Sequence, residues 1–314
     1  MRTEALIASV IVPILLAMMT GYYLKRSKIV SPAGASDFNK VVFKCLLPAS
    51  LFFNVSTTSF REVVNLPLIL FCVLGTLAVF FGCVLLVPRF ARDRRRAAVI
   101  EQAIYRGNYV IFGLVVIEGF FPEQLGVASV VSAFLIPTYN TLAVVLLESA
   151  GGGHVNVKKT VRGVVTNPLI LANVLGLLFS LTGLSLPGVL KSYVQSLAKM
   201  SSTAGLLGVG MCFEFKTLHK NARALGASVL CKLVLLPVVM CLLGVWWFGF
   251  CDAELMITLI AFGAPTAVSS YTMAQMYDVD HDLANQEVVA TTLGCIVTLA
   301  ALIWAFTQTP FLTL

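Results

Sequence analysis

The sequence predicts an all-α membrane protein. Ten transmembrane helices form two inverted five-helix repeats, and helices 4 and 9 are broken near the bilayer centre. Three observations favour this fold: long apolar blocks, a similarity between the two halves of the chain, and helix breakers at matching places in the fourth and ninth blocks. Hydrophobic residues make up 58% of the 314 residues and charged residues 12%, which is about half the charged share of a soluble domain.

Each of ten blocks is apolar over roughly 20 residues, the length with which a helix crosses the hydrocarbon core. They are Ala5–Leu24, Asn39–Thr57, Leu66–Val87, Ala97–Gly119, Leu125–Leu147, Val164–Leu184, Val194–Phe213, Ala224–Phe248, Ala253–Met276 and Ala284–Phe306. The first block lacks a basic n-region and is too long for a signal-peptide core, so we expect it to be retained as a span. The sequence thus predicts a multi-pass protein of the cell membrane.

Basic residues are unevenly distributed among the predicted loops. The odd-numbered loops hold fifteen Lys and Arg residues, whereas the even-numbered loops and the two ends hold three, Arg2, Arg61 and Lys191. Because basic residues favour the cytoplasmic side, we expect the odd loops to be cytoplasmic and both termini extracytoplasmic. The acidic ninth loop, Asp278–Asp282, is an exception, but acidic residues weigh little in this rule. The net charge of +7 therefore reflects membrane topology, and no nucleic-acid partner is expected.

The halves of the chain resemble each other at an offset of 155 residues, where Pro13–Gly21 aligns with Pro168–Gly176. The same offset pairs Pro32 with Pro187, Lys44 with Lys199, and Phe60-Arg61 with Phe215-Lys216. We interpret this as a duplication, with repeats at 1–150 and 164–314 joined by a cytoplasmic linker at 151–163. An odd number of spans inverts the second repeat, and inverted repeats are typical of secondary transporters.

Helix breakers lie about ten residues into the fourth and ninth spans, which is close to the bilayer centre. Aligning Ala103 with Ala261 places Gly107 on Pro265 and Asn108 on Thr266. Backbone groups freed by such breaks must lie inside protein or against a cavity, and transporters of this type bind substrate there. The substrate-binding candidates at the two breaks are Arg106, Gly107, Asn108, Pro265, Thr266, Ser269 and Ser270.

Arg106 is a charge near the predicted midplane, a position where charges normally face a cavity or a partner. Its planar guanidinium suits a carboxylate, and the amino-terminal ends of half-helices would add positive potential. These features favour an anionic substrate. The alternative is a structural salt bridge, either to Glu101 five residues earlier or to another carboxylate.

Four further polar residues lie in the predicted spans. Asn54 and Asn140 are candidates either for substrate contact or for hydrogen bonds between helices. Lys232 and Glu287 are candidates for ion coupling, since either could carry a proton. The sequence shows no motif of a hydrolase, metalloprotease or nucleotide-binding loop, so we predict no enzyme and no cofactor, and uphill transport would use a Na+ or H+ gradient or exchange.

Five short motifs resemble the auxin efflux carrier family of membrane transporters, including its bacterial malonate-type members. They are Leu46-Leu47-Pro48 with Ala49-Ser50-Leu51-Phe52, Arg106-Gly107-Asn108 with Gly113, Asn167-Pro168, Lys232 to Pro237, and Ala264-Pro265-Thr266-Ala267. The resemblance covers nearly the whole chain, and the order and spacing of the motifs make it specific. The chain departs from the family at Leu114-Val115 and at Ser269-Ser270, where a Pro is common, so a plant-like auxin specificity is not implied.

The resemblance implies a fold like that of the bile-acid symporters, with a scaffold of spans 1, 2, 6 and 7 that forms a homodimer. It also implies a transport domain of spans 3–5 and 8–10, in which helices 4 and 9 cross and which moves past the scaffold like an elevator. It implies organic anions such as auxin and malonate as substrates. One alternative is a sodium-coupled symporter of the related bile-acid type, in which Thr266, Ser269 and Ser270 would supply oxygens for Na+. A channel or a receptor is a third class, which saturable flux would distinguish.

Overall fold

The computed structural model describes residues 3–59, 63–152, 158, 161–162, 165–213 and 222–314. Every regular element within these ranges is helical, and the one extended pairing among them is an isolated bridge between Gly107 and Thr266. The predicted all-α class is therefore confirmed. Arg2, the paired segments Phe60-Arg61 and Phe215-Lys216, and most of the linker at 151–163 lie outside the described residues.

The α-helices of the described ranges are α1 (Thr3–Arg26), α2 (Pro32–Val41), α3 (Leu47–Ser56), α4 (Leu66–Leu86), α5 (Arg94–Tyr105), α6 (Leu114–Phe120), α7 (Leu125–Ala150), α8 (Pro168–Thr182), α9 (Gly188–Met211), α10 (Ala222–Leu230), α11 (Leu236–Phe248), α12 (Asp252–Gly263), α13 (Ser269–Met276) and α14 (His281–Thr307). Three π-helical segments are continuous with them: Val42–Leu46 joins α2 to α3, Tyr109–Gly113 precedes α6, and Cys231–Leu235 joins α10 to α11.

Six helices in the described ranges are long and apolar enough to cross a membrane. They are Glu4–Arg26, Pro32–Ser56, Leu66–Arg89, Pro122–Ala150, Leu225–Phe248 and His281–Thr307. The other four predicted spans coincide with two interrupted helices, with the 15-residue α8, and with the more polar α9. The chain is therefore a multi-pass membrane protein.

Two of the π-helical segments end two residues before a proline. Val42–Leu46 precedes Pro48, and Cys231–Leu235 precedes Pro237. A proline inside a helix has no N–H for the carbonyl four residues earlier and its ring crowds that carbonyl, and a wider π turn is a common local adjustment. The second of these segments carries Lys232, so the irregular turn fixes the position of a buried lysine.

The helices pack in two groups. In one group α1 packs along α9, and α3 packs along both α8 and α9. In the other group α4, α5 and α7 pack on one another, α11 packs on α12, and α14 contacts α5, α10 and α13. The first group, which also includes α2 against α9, comprises the helices of predicted spans 1, 2, 6 and 7. It contacts the second group mainly through α3 against α7 and α1 against α14.

The innermost helices are α5 and α12. Every residue from Ala97 to Tyr105 is buried, and so is every residue from Leu255 to Gly263. Both helices are buried around their whole circumference in these stretches, as expected for helices surrounded by protein, although α5 also buries Glu101 and Gln102 and α12 buries Thr258. Their carboxyl ends meet in the interior, and the candidate site is built there.

Candidate functional site

The two interrupted helices cross at their breaks. Helix α5 ends at Tyr105 and α12 ends at Gly263. After each of these ends, the backbone runs through a short extended stretch before the next helical segment begins. The backbone N–H of Asn108 donates to the carbonyl oxygen of Pro265 at 2.6 Å, beside the bridge between Gly107 and Thr266. The interruptions thus lie at the residues where the sequence predicted them, and they contact each other.

Thr266 joins the crossing to its surroundings. Its hydroxyl donates to the carbonyl oxygen of Ala103 at 3.0 Å, and its backbone N–H donates to the hydroxyl of Thr291 at 3.0 Å. These bonds satisfy backbone groups that the two breaks leave free, which would be costly to bury without partners. Thr266 therefore holds the crossing together and is 1% exposed.

Arg106 is held at the crossing by neutral side chains. One terminal nitrogen donates to Oδ1 of Asn140 at 2.8 Å and to Oγ of Ser269 at 2.9 Å. The other lies 2.8 Å from the sulfur of Met273. Ion pairs in the described ranges do not include Arg106, and the predicted alternative partner, Glu101, pairs with Arg94 at 3.3 Å. A salt bridge from Arg106 to Glu101 is therefore not present.

A cavity of about 180 Å³ lies against the crossing. Its wall combines Arg106, Gly107 and Asn108 from the first break with Ala267, Val268 and Ser269 from the second. The rest of the wall comes from α7 and from the first helix group, through Ile136, Tyr139, Asn140, Phe43, Asn167 and Leu169. The cavity thus lies where the two groups of helices meet.

The amino-terminal ends of two helical segments face this cavity. Tyr109, Val110 and Ile111 begin the helical segment after the first break, and Ser269 begins α13 after the second. The amino-terminal end of a helix carries unpaired N–H groups and a partial positive charge. Together with the guanidinium of Arg106, these ends make the cavity electropositive.

Donors remain free at the cavity. A guanidinium has five N–H donors, and the contacts of Arg106 with Asn140, Ser269 and Met273 use three of them. The side-chain amide nitrogen of Asn108 is buried and has no hydrogen-bond partner among the described residues. Buried donors without partners are uncommon in proteins. A bound anion that accepts from Arg106 and Asn108 would satisfy them.

The structure brings some sequence-predicted residues to the cavity and places others elsewhere. Arg106, Gly107, Asn108, Ser269 and Asn140 line it. Pro265 and Thr266 form the crossing behind it. Asn54 lies away from the cavity, with its amide nitrogen 3.4 Å from the Ser50 hydroxyl and 3.5 Å from that of Ser129. Ser270 is buried beside the crossing, but it does not line the cavity.

The two coupling candidates are also buried away from the cavity wall. Glu287 is fully buried in α14 and accepts a hydrogen bond from the hydroxyl of Ser228. Lys232 is fully buried, and its ammonium has no hydrogen-bond partner among the described residues. In the described ranges, no three His, Cys, Asp or Glu side chains cluster in a way that could hold a metal ion.

The cavity residues that the sequence reasoning missed include Tyr139, Met273 and Asn167. Tyr139 donates its hydroxyl to the carbonyl oxygen of Ala261 at 3.1 Å and so supports the end of α12. Met273 lies one helical turn after Ser269, and that spacing could have pointed to it. Asn167 caps the start of α8 through the N–H of Leu169. Its role as a helix cap was readable from Asn167-Pro168, but its place at the cavity depends on tertiary packing.

Comparisons of the sequence with known proteins point to membrane transport. The sequence profile of the family described as "Membrane transport protein" matches residues 6–303. The chain is 24% identical over 312 residues to the "Uncharacterized transporter YfdV" of Escherichia coli, covering 94% of this chain and 96% of that protein. It is 25% identical over 292 residues to a Rhizobium meliloti protein named "Putative malonate transporter", covering 90% of each. The chain therefore belongs to the membrane transport protein family, and its resemblance to the auxin efflux carriers is confirmed.

Proposed function

We propose that this membrane transporter is a secondary carrier for a small organic anion, a carboxylate of malonate size. The observation that carries the proposal is the guanidinium of Arg106, which lies at a cavity between two helix amino termini without a carboxylate partner among the described residues. A buried cation without a counter-charge is costly. An anionic substrate would supply that charge each time it binds.

The size of the cavity favours a small substrate. The cavity volume of about 180 Å³ is below the roughly 300 Å³ at which pockets for drug-sized ligands start. This argues for a short carboxylate and against a sterol-sized bile acid. The name of the Rhizobium meliloti relative agrees with the same substrate class.

The proposal includes a mechanism. The chain would have ten spans in two inverted repeats with both termini outside the cytoplasm. The helix group of α1, α2, α3, α8 and α9 would form a scaffold that also makes the homodimer. The second helix group, which contains the crossing, would move past this scaffold in an elevator-like, alternating-access cycle. A cavity at the boundary between the two helix groups supports this division, because movement there would expose the substrate to either side.

Uptake of radiolabelled malonate into proteoliposomes tests the proposal. We expect saturable uptake that excess unlabelled small carboxylates reduce and that a small amine does not. Empty liposomes provide the background. Uptake that rises linearly with concentration would indicate a channel, and binding without uptake would indicate a receptor. Equal rates of transport for a bile acid and for malonate would contradict the substrate class.

A further inference from the structure

One face of α7 carries small and polar residues between the cavity and the amino end of the helix. Gly126, Ser129 and Ser132 lie on this face, and all of them are buried. The same face continues into the cavity wall at Ile136 and Tyr139, because residues three or four apart lie on one side of a helix. It packs on α3 and α8 of the first helix group. This face of α7 is therefore a boundary between the two helix groups on one side of the cavity.

Asparagine side chains of the first group meet the two serines of α7. Nδ2 of Asn173 in α8 lies 3.4 Å from Oγ of Ser132, and Nδ2 of Asn54 in α3 lies 3.5 Å from Oγ of Ser129. Both distances exceed the usual length of such hydrogen bonds, which is about 2.9 to 3.0 Å. The contacts are neutral and long, so they join the two groups only weakly.

A third contact lies nearer to the amino end of α7. A Cβ atom built on Gly126 would lie 2.4 Å from Oγ1 of Thr58, which follows the end of α3. The absence of a side chain at Gly126 thus allows α7 to approach the end of α3 closely. We name these three contacts the α7 seam: Gly126 with Thr58, Ser129 with Asn54, and Ser132 with Asn173.

The two helices that follow the breaks pack differently. Helix α6, after the first break, contacts α1 of the first group, and its Glu118 accepts a hydrogen bond at 2.7 Å from the hydroxyl of Ser202 in α9. Helix α13, after the second break, packs mainly on α14 and α5 of the second group, and its Thr272 and Gln275 are exposed. Because α6 and α13 hold equivalent places in the proposed inverted repeats, this difference indicates that the cavity is closed on the side of α6 and the α7 seam.

The chemistry of the α7 seam suits an interface that separates. Serine and asparagine side chains regain hydrogen bonds to water when they part, whereas apolar side chains would lose the gain from burial. The side-chain oxygen of Asn173 is buried and has no hydrogen-bond partner among the described residues. Such groups are uncommon in proteins, and separation of α7 from α8 would give this oxygen access to water.

We propose that the α7 seam is the extracytoplasmic gate of the carrier and opens each time the anion enters or leaves on that side. The inference rests on the proposed function and adds the residues that close its outer path. In the proposed topology, the amino end of α7 and the carboxyl ends of α3 and α8 lie outside the cytoplasm. Separation of α7 from α3 and α8 would then connect the cavity with the outside.

A reversible bridge across the seam tests the inference. Asn54→Cys and Ser129→Cys are combined in a background in which Ser replaces the exposed Cys45 and Cys251, and a short bis-methanethiosulfonate joins the two introduced thiols. We expect the bridge to reduce malonate uptake by proteoliposomes at least about tenfold, because alternating access requires both openings. Dithiothreitol should restore the rate measured before bridging. The mass of the intact protein shows whether the bridge has formed.

The matched control is a bridge within the first helix group. Asn39→Cys in the same background places a thiol beside Cys212, whose sulfur lies 3.5 Å from Nδ2 of Asn39. Both residues belong to the proposed scaffold, so this bridge should leave uptake within about twofold of the unbridged rate. The background protein treated with the same reagent gives the baseline.

A second bridge and a binding measurement complete the test. Asn173→Cys with Ser132→Cys lies one helical turn nearer to the cavity and should block uptake as the first bridge does, so it decides the question if the first variant fails to fold. Malonate should still raise the melting temperature of a bridged protein, because the bridge leaves the cavity intact.

The possible outcomes separate the gate from the proposed function. Undiminished uptake with a confirmed bridge, an equal loss in the control, or failure of both seam bridges to form would overturn the inference and leave the proposed function standing. Absence of malonate uptake by the background protein would remove the proposed function, and the inference with it.

Discussion

Replacing Arg106 with glutamine is expected to reduce the apparent affinity for the carboxylate substrate about 100-fold without lowering thermal stability. The substrate would lose two charge-assisted hydrogen bonds of about 1.5 kcal/mol each, and each 1.4 kcal/mol corresponds to about tenfold in affinity. Stability should be retained because Asn140 and Ser269, the partners of Arg106, can also hydrogen-bond an amide. The measurement is the KM of malonate uptake together with the melting temperature of the purified variant.

Two further substitutions sharpen this test. Arg106→Lys keeps the charge but not the planar fork that fits a carboxylate, so we expect a smaller loss of affinity. Arg89→Gln removes an exposed arginine and should leave uptake unchanged. A purely structural Arg106 would give the reverse pattern, with a lower melting temperature and an unchanged KM in Arg106→Gln.

Alanine substitution of Gly21 or Gly210 is expected to lower the melting temperature strongly. These glycines lie where α1 crosses α9, and the backbones of the two helices are in direct contact there. A Cβ on Gly21 would overlap the carbonyl group of Leu207, and a Cβ on Gly210 would overlap that of Met18. Backbone cannot move aside as a side chain can, so each variant should lose about 3 kcal/mol, or about 6 °C or more in melting temperature.

The matched control is Gly82→Ala in α4, where a Cβ would meet no atom within 4 Å. It should melt within about 1 °C of the wild type, since surface changes usually stay within about 0.5 kcal/mol. The double variant of Gly21 and Gly210 should lose less than the sum of the single losses, because one displaced crossing accommodates both methyl groups. Equal melting temperatures for Gly210→Ala and Gly82→Ala would contradict the close packing.

The breaks were predictable from the sequence because their causes are local. Pro265 cannot continue a helix, Gly107 is free to leave helical geometry, and each is followed by a short polar side chain. The presence of a charge at Arg106 was equally readable from its position in an apolar block. The partners of Arg106 could not be predicted from the neighbouring sequence, because Glu101, five residues earlier, pairs with Arg94 instead.

The rest of the site depends on contacts between distant parts of the chain. Asn54 and Asn140 have the same chemistry and similar apolar surroundings in the sequence, yet only Asn140 reaches Arg106. Met273 and Tyr139 meet the crossing through helix packing, which periodicity does not encode. Lys232 was visible as a deep charge, but its place behind Gly107 depends on how the segment Cys231–Leu235 packs against α5 and α12.

The most direct test of the central claim, that a small carboxylate binds at Arg106, is a thermal-shift panel on the purified protein. Malonate, other short mono- and dicarboxylates, a bile acid and a small amine would each be added to wild type and to Arg106→Gln. A ligand that binds only the folded state raises the melting temperature by mass action, about 2.7 kcal/mol at 100 times its Kd. We expect a short carboxylate to stabilise the wild type and not the variant. Stabilisation of both proteins alike, or of the wild type by the amine alone, would contradict the proposed site.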